Sequence, residues 1–491
     1  MGADADEGER PEPRLAAYVL AAGVGFGVLA DGLFNGSEVG LNATLWIGAL
    51  AIAGWLTYRR SGRPAGALPM LLGAVGFFAG CLAWRTSPFL RLWDTAAIAA
   101  AAVAIAVHLR GAFLSAHLAD YGRGALDVAG DLAAGPVRLL GEVPWSHAGL
   151  TRRQVPAIAT GAVLAVPVVL VFGSLLAAAD PAMEAFVRTL FTWNLDAVVR
   201  HLVIFGVAAW LATGGLWRIG RAPSEPVGVA ADPRRTLGAI ELGIPLAALT
   251  LLLAVFIGLQ TRYLFGGETF VRLTGITYAE FARRGFFELV ALSALALAVL
   301  LVAQRLVDRR MRASLESFRA LGAAIAILVG LVMVSALARI RLYMDMYGLT
   351  EDRFYATAFM LWLGAVLAWF VATEWRGRLE RFAAGAVTAG FLLLGGLNAA
   401  NPDAVVARVN LNRAATGAAL DAAYLSRLSA DAVPALSGRW AALDSDARCA
   451  LRARMERAAE RDAGWRAWTW SDRRAARAAR NVPLPTECGT G

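Results

Sequence analysis

The sequence predicts an all-α fold, a polytopic transmembrane helix bundle of about 11 spans followed by a short helical C-terminal extramembrane region. Three observations carry this expectation. Apolar residues make up 58% of the 491 positions and charged residues only 17%, where a soluble domain averages about 45–50% and about 25%. Most of the charge sits between apolar runs of the length that a hydrocarbon core about 30 Å thick requires, roughly 20 residues. These runs lack strand-type alternation, and an open sheet edge in lipid would leave backbone groups unpaired.

The elements follow in order. Residues 1–14 form an acidic, disordered N-terminus with Asp4, Asp6, Glu7, Glu9 and Glu12. No small-residue cleavage site follows at signal-peptide distance, so the first span is expected to be retained. The transmembrane domain is expected over 15–399, with spans near 15–34, 41–58, 66–84, 92–109, 155–178, 198–217, 239–263, 286–304, 320–338, 354–373 and 382–399. The loop 110–154 and the stretch 180–197 read as interfacial amphipathic helices, being too polar to cross. Residues 218–236, rich in Pro and Gly, read as a loop.

Residues 400–480 are a different material, rich in Arg, Ala, Asp and Glu, and read as a helical extracytoplasmic tail. Asn401-Pro402-Asp403 stops the last span and opens a helix, and Ser429-Ala430-Asp431 caps another. The tail is expected to pack on the outer span ends through Tyr424, Leu425 and Val433. Trp465, Trp468 and Trp470 admit two readings, anchors at headgroup level or closure of a small helical core. Residues 481–491 are expected to be disordered.

Every one of the 47 basic residues is arginine, which removes lysine chemistry altogether. The net charge of +9 is spread over short loops, so membrane orientation explains it better than nucleic acid does. With the N-terminus in the cytoplasm, the inner segments hold 22 arginines and the outer loops 11. That bias predicts a multi-pass protein with its N-terminus cytoplasmic and its C-terminus extracytoplasmic. Cys81, Cys449 and Cys488 offer no metal spacing, and the four histidines form no ligand set, so neither metal nor cofactor is expected. Whether Cys449 and Cys488 are bridged stays open.

The candidate site comes from arginines where the charge rule disfavours them. Glu280, Arg283, Arg284 and Glu288 surround the start of the eighth span, and Arg339, Arg341 and Asp345 the end of the ninth. Arg353 opens the tenth, and Asp403 follows the eleventh. These residues are expected to meet in one polar cavity at the outer face. One reading is a paired network that only satisfies its own charges. The other is a pocket for an anionic headgroup or phosphorylated lipid carrier, because arginine forks match phosphate. Asp31 and Glu288 are additional candidates for proton relay.

Four stretches carry a family resemblance: ADGLFNGSEVGLNATLW (30–46), GITYAEFARRGFFELV (275–290), RLYMDMYGLTEDRFY (341–355), and NPDAVVARVNLNRA with the following LDAAYLSRLSADAVPAL. They resemble the bacterial polytopic membrane family catalogued as domain of unknown function 4173, with its relative 4153. The resemblance implies a multi-pass protein of the bacterial cytoplasmic (inner) membrane with about this topology, and no activity. Three function classes remain open: binding or transport of a lipid or envelope precursor, an envelope scaffold or sensor with a partner-docking tail, and a lipid-linked transferase. The last is disfavoured because the first outer loop, NGSEVG, offers only Glu38 as an acid. Membrane lipids are the expected partners, an anionic lipid or lipid-linked precursor the expected ligand; nucleic acid is not expected.

Overall fold

A computed structural model describes residues 13–60, 62–111, 113–140, 142, 161, 165, 195–221, 236–265, 286–461, 464–485 and 488. The fold is an all-α polytopic bundle. Its long helices are α1 (Pro13–Phe34), α2 (Leu41–Arg60), α3 (Leu68–Trp84), α4 (Pro88–Leu109), α5 (Leu118–Leu140), α6 (Leu195–Gly220), α7 (Ala239–Phe265), α8 (Phe286–Leu306), α9 (Arg312–Tyr347), α10 (Glu351–Trp375) and α11 (Phe382–Ala400). Nine helices among the described residues are long and apolar enough to cross a membrane, and α3, at 17 residues, is a shorter apolar helix. The apolar run near 155–178, apart from 161 and 165, and the stretches 180–194, 222–235 and 266–285 lie outside the described residues.

Why these segments cluster is clearest where α1 meets α6. Lipid tails are as apolar as the helices, so association depends on close packing, which small residues allow. Gly23 and Gly27 supply it on α1. A Cβ on Gly23 would sit 1.9 Å from the Thr213 hydroxyl, and one on Gly27 would sit 2.8 Å from the Phe205 carbonyl and ring. A second cluster is built by α7, α8, α9 and α10 around Leu246, Leu300, Val329 and Phe370. A third joins α2, α3, α4 and α5 to the start of α11 around Leu68, Leu71 and Ala104.

Two elements differ from expectation. The ninth apolar run was expected to span 320–338, but α9 is 36 residues long, about 54 Å at 1.5 Å per residue. It outruns the hydrocarbon core, and Arg339, Arg341 and Asp345 continue the helix instead of forming a loop. Helical hydrogen bonding past the apolar boundary costs nothing where the groups reach water. In addition, residues 481–485 are packed: the Trp440 indole donates to the Pro483 carbonyl (3.0 Å), and Val482 and Leu484 lie on the tail's apolar cluster. Cys488 is disulfide-bonded to Cys449.

The tail consists of α12 (Pro402–Ala415), α13 (Ala422–Leu425), α14 (Val433–Gly438), α15 (Ser445–Glu460) and α16 (Trp470–Arg480). Its own apolar centre includes Val406, Leu425, Val433, Leu436, Trp440, Leu451 and Met455, with Leu349 of the α9–α10 turn inserted among them. Trp465 and Trp470 do not close this core, being 61% and 44% exposed.

Candidate functional site

The tail is held on one end of the bundle by two polar anchors. The first is a buried ion pair. Arg85, in the α3–α4 turn, reaches Asp431 at 3.1 Å, and both side chains are almost inaccessible. A lone buried charge costs several kcal/mol, so each needs its remaining bonds satisfied. Asp431 also accepts from the Thr86 amide (2.8 Å) and hydroxyl (3.1 Å) and from Ser471 at the start of α16. Arg85 donates from Nε to the Asn398 carbonyl (2.7 Å) at the end of α11. The Asn398 amide in turn donates to Asp94 of α4 (2.8 Å). Three distant parts of the sequence therefore meet at one turn.

The second anchor is a strap. Residues 464–469 lie along the α1–α2 loop, where the Leu41 and Asn42 amides donate to the Trp468 and Arg466 carbonyls at 3.0 and 2.8 Å. Contact is close enough that a Cβ on Gly40 would lie 2.6 Å from the Ala467 carbonyl. Arg461 bonds Glu38 (2.6 Å) and Asp472 (3.1 Å). Burial works against the Arg461 charge, but its bonds to Glu38 and Asp472 outweigh that and leave its pKa raised.

Between the anchors and the span ends lies a cavity of about 590 Å³. The start of α4 contributes Thr86, Pro88, Phe89 and Arg91, and the first turns of α10 contribute Glu351, Asp352 and Tyr355. The tail contributes Arg427, Ser429, Ala430, Arg454, Arg457, Arg461 and Asp472. Phe89 and Tyr355 stack with ring centres 3.8 Å apart and make the apolar side. Arg454, Arg457 and Arg461 follow at helical spacing along and just past α15, so one face carries three guanidinium groups. Among the described residues, Arg427, Arg454 and Arg457 have no acidic side chain within ion-pair distance. Burial and then the neighbouring Arg457 lower the pKa of Arg454, with Asp472 acting the other way.

Asp403 lies behind this cavity and is fully buried. Its Oδ2 accepts from the Ser429 amide at 3.1 Å, while Oδ1 has no hydrogen-bond partner among the described residues. It faces the Glu351 carboxyl, and burial, then the charge of Asp431, push its pKa up despite the bonds from Ser429. Glu351 is itself placed by its amide, which donates to the Tyr424 hydroxyl (2.8 Å). Burial raises the Tyr424 phenol to about 12.

The residues singled out from sequence are distributed as follows. Glu280, Arg283 and Arg284 lie outside the described residues. Glu288 is exposed on the first turn of α8. Arg339 is half-buried, and Arg341 and Asp345 are exposed, all on the final turns of α9. The Asp345 carbonyl, not its carboxylate, accepts from Arg413 (2.9 Å). Arg353 turns back to the Gly348 carbonyl and lies over the Tyr343 ring at 4.2 Å. Of the six described, Asp403 alone lies against the cavity, through Glu351. The guanidinium groups that line it belong mostly to the tail. Sequence reasoning missed them, because they stand in a charge-rich helix and only the fold sets which bundle end they face. Asp31, also singled out, meets His201 across α1 and α6 at 2.7 Å.

Comparison with known proteins returns a family and no function. No curated protein and no solved structure matches the chain. Residues 72–438 match the family described as Domain of unknown function (DUF4153), one of the two that the sequence motifs resemble. The match takes in both partners of the Arg85–Asp431 pair and ends before α15, so Arg454, Arg457 and Arg461 lie beyond it. With three quarters of its length matched, this integral membrane protein belongs to the DUF4153 family.

Proposed function

We propose that the protein binds the phosphate-bearing headgroup of a membrane lipid in the cavity beneath α15, on the extracytoplasmic face of a bacterial inner membrane. The observation that carries this reading is the set of Arg427, Arg454 and Arg457, which line one cavity without acid partners. Like charges held together cost energy unless an anion joins them, and a guanidinium pair grips a phosphate with charge-assisted bonds. The position favours a lipid over a soluble anion. Phe89 is 38% exposed at the mouth, and Leu92 and Trp93 below it on α4 are 66% and 48% exposed. An acyl chain lying along those side chains puts its phosphate at the arginines.

The sidedness rests on two independent supports. The tail shares its end of the bundle with the loops that are arginine-poor by count, and short loops on the far side of the membrane from the cytoplasm are arginine-poor. The Cys449–Cys488 bridge fits an oxidising compartment.

The test is native mass spectrometry of the full chain in detergent, titrated with short-chain phosphatidylglycerol. Wild type retains bound lipid, and R454A/R457A loses roughly tenfold in affinity, the loss of about one charge-assisted contact, at unchanged thermal stability. Displacement of the lipid by an equal concentration of inorganic phosphate would assign the site to a soluble anion. Equal lipid retention by wild type and R454A/R457A would sink the reading.

A further inference from the structure

The cavity is not uniformly basic, and its acidic part points to the chemical class of headgroup. We infer that the site takes a zwitterionic headgroup, a phosphodiester joined to a primary ammonium, with the phosphate at Arg454 and Arg457 and the ammonium at Glu351 and Asp352. The inference rests on the lipid-binding reading above and deepens it.

Three observations support the assignment. First, the two signs of charge come from different elements. The arginines stand on α4 (Arg91), on the turn at Arg427 and along and just past α15; of the acids, Asp472 of α16 is paired with Arg461, whereas Glu351 and Asp352 stand on the first turn of α10. Acids there favour the helix N-terminus, but that interaction does not require them to face a cavity.

Second, the acidic group lacks a cation. The charges acting on Glu351 are those of Asp403 and Asp352, both carboxylates. Asp352 forms no ion pair among the described residues, and Arg461 is already taken by Glu38 and Asp472. Asp403 is fully buried, and its carboxyl lies within hydrogen-bond reach of that of Glu351. Two facing carboxyls with no cation must share a proton or acquire a positive partner. A primary ammonium has three N–H donors, enough for both carboxylates of the α10 turn, and its charge offsets that of Asp403 behind them.

Third, the size and form of the cavity fit. At about 590 Å³ it falls within the range of small-ligand sites, about 300–1,000 Å³. A phosphoethanolamine group spans two atoms between phosphate oxygen and nitrogen, so one molecule reaches both charge sets only if it lies across the cavity. A quaternary ammonium presents no N–H and leaves the carboxylates unsatisfied, and a glycerol headgroup brings no charge to them.

The experiment compares short-chain phosphatidylethanolamine, phosphatidylcholine and phosphatidylglycerol on the purified full chain by native mass spectrometry. Phosphatidylethanolamine is expected to bind roughly tenfold tighter than the other two, the worth of one charge-assisted contact. D352N, at an exposed position, and E351Q are expected to bring phosphatidylethanolamine down to the level of phosphatidylglycerol without weakening phosphatidylglycerol. R454A/R457A weakens all three. Soluble phosphoethanolamine identifies the source: competition at equal concentration assigns the free compound, and its failure assigns the bilayer lipid. Equal binding of the three lipids to wild type, or a preference that survives D352N and E351Q, overturns the zwitterion assignment while leaving the phosphate site standing. No binding of any lipid overturns both.

Discussion

The two ends of the bundle handle arginine in opposite ways. At the end away from the tail, the guanidinium groups that reach into the bundle are compensated, and Arg59, Arg305, Arg376, Arg378 and Arg381, which form no ion pair among the described residues, are exposed. Arg309 and Arg319 converge on the buried Glu374 of α10. Arg110 and Arg218 pair with Asp127, and Arg138 and Arg218 with Asp131. Arg63 reaches the Ile219 carbonyl at the end of α6 (2.7 Å). At the tail end, Arg85 and Arg461 are compensated as completely, yet beside them Arg427, Arg454 and Arg457 are left without acids. What distinguishes this set is that the three arginines line one cavity, where, on the proposed reading, an anion from outside the protein completes the balance.

The sharpest way to test this contrast is to remove a compensated charge. Asp431→Ala leaves Arg85 buried and unpaired and should cost about 3–5 kcal/mol, seen as a loss of folded protein by detergent thermal melting. Arg454→Ala should leave the melt unchanged. If both lower it equally, the arginines of α15 belong to the structural network. Cys449→Ser comes next. The bridge closes a 39-residue separation, and chain entropy puts its contribution to the tail at about 3–4 kcal/mol. Limited proteolysis should then cut within 481–488 at once, and an unchanged cleavage pattern would show that Trp440 and its neighbours hold the segment unaided.

At the opposite end, Glu374→Gln should cost about 1.5–3 kcal/mol, the range for hydrogen bonds to charged groups, measured by the same melt. Arg312→Ala, which removes an exposed i,i+4 pair with Glu316, should be silent. The smallest effect is a pH slope. Because the Asp403 pKa is raised on folding, the folded state binds more protons between the unfolded and folded values. Stability therefore falls as pH rises through that window. Asp403→Asn should flatten this part of the melting profile, and a profile that rises with pH in wild type would show the carboxyl to be ionised when folded.

What the sequence discloses follows from the range of the forces involved. Apolar run length is local, so the helical class is visible, as are local caps. Asn401, at φ 57°, accepts from the Ala404 amide, and Ser429 accepts from Asp431, both at positions read from residue type alone. The long stretches that carry the family resemblance are likewise visible because they are contiguous. The cavity is not contiguous. Charges at Arg339, Arg341 and Asp345 stand out in sequence because they interrupt an apolar pattern, yet on α9 they simply run past the hydrocarbon boundary. Arg454 and Arg457 stand in a charge-rich helix, where nothing marks them, and acquire meaning only when α15 is folded over α4 and α10. Asp94 with Asn398, and Arg85 with Asp431, join residues 304 and 346 positions apart, beyond the reach of any spacing argument.

The strap over the α1–α2 loop also sets a clock. Arg466 donates to the Gly32 carbonyl across 434 residues. At the usual 5–20 residues per second, about 20–90 s separate the emergence of the two. Throughout that interval the first hairpin sits in the bilayer with its polar collar open, and the Arg85 guanidinium waits for a carboxylate not yet made. Completion of the first loop is thus a signal that the last residues have arrived. A chain stopped before Asp431 lacks both the carboxylate that pairs Arg85 and the strap that lies along the first loop.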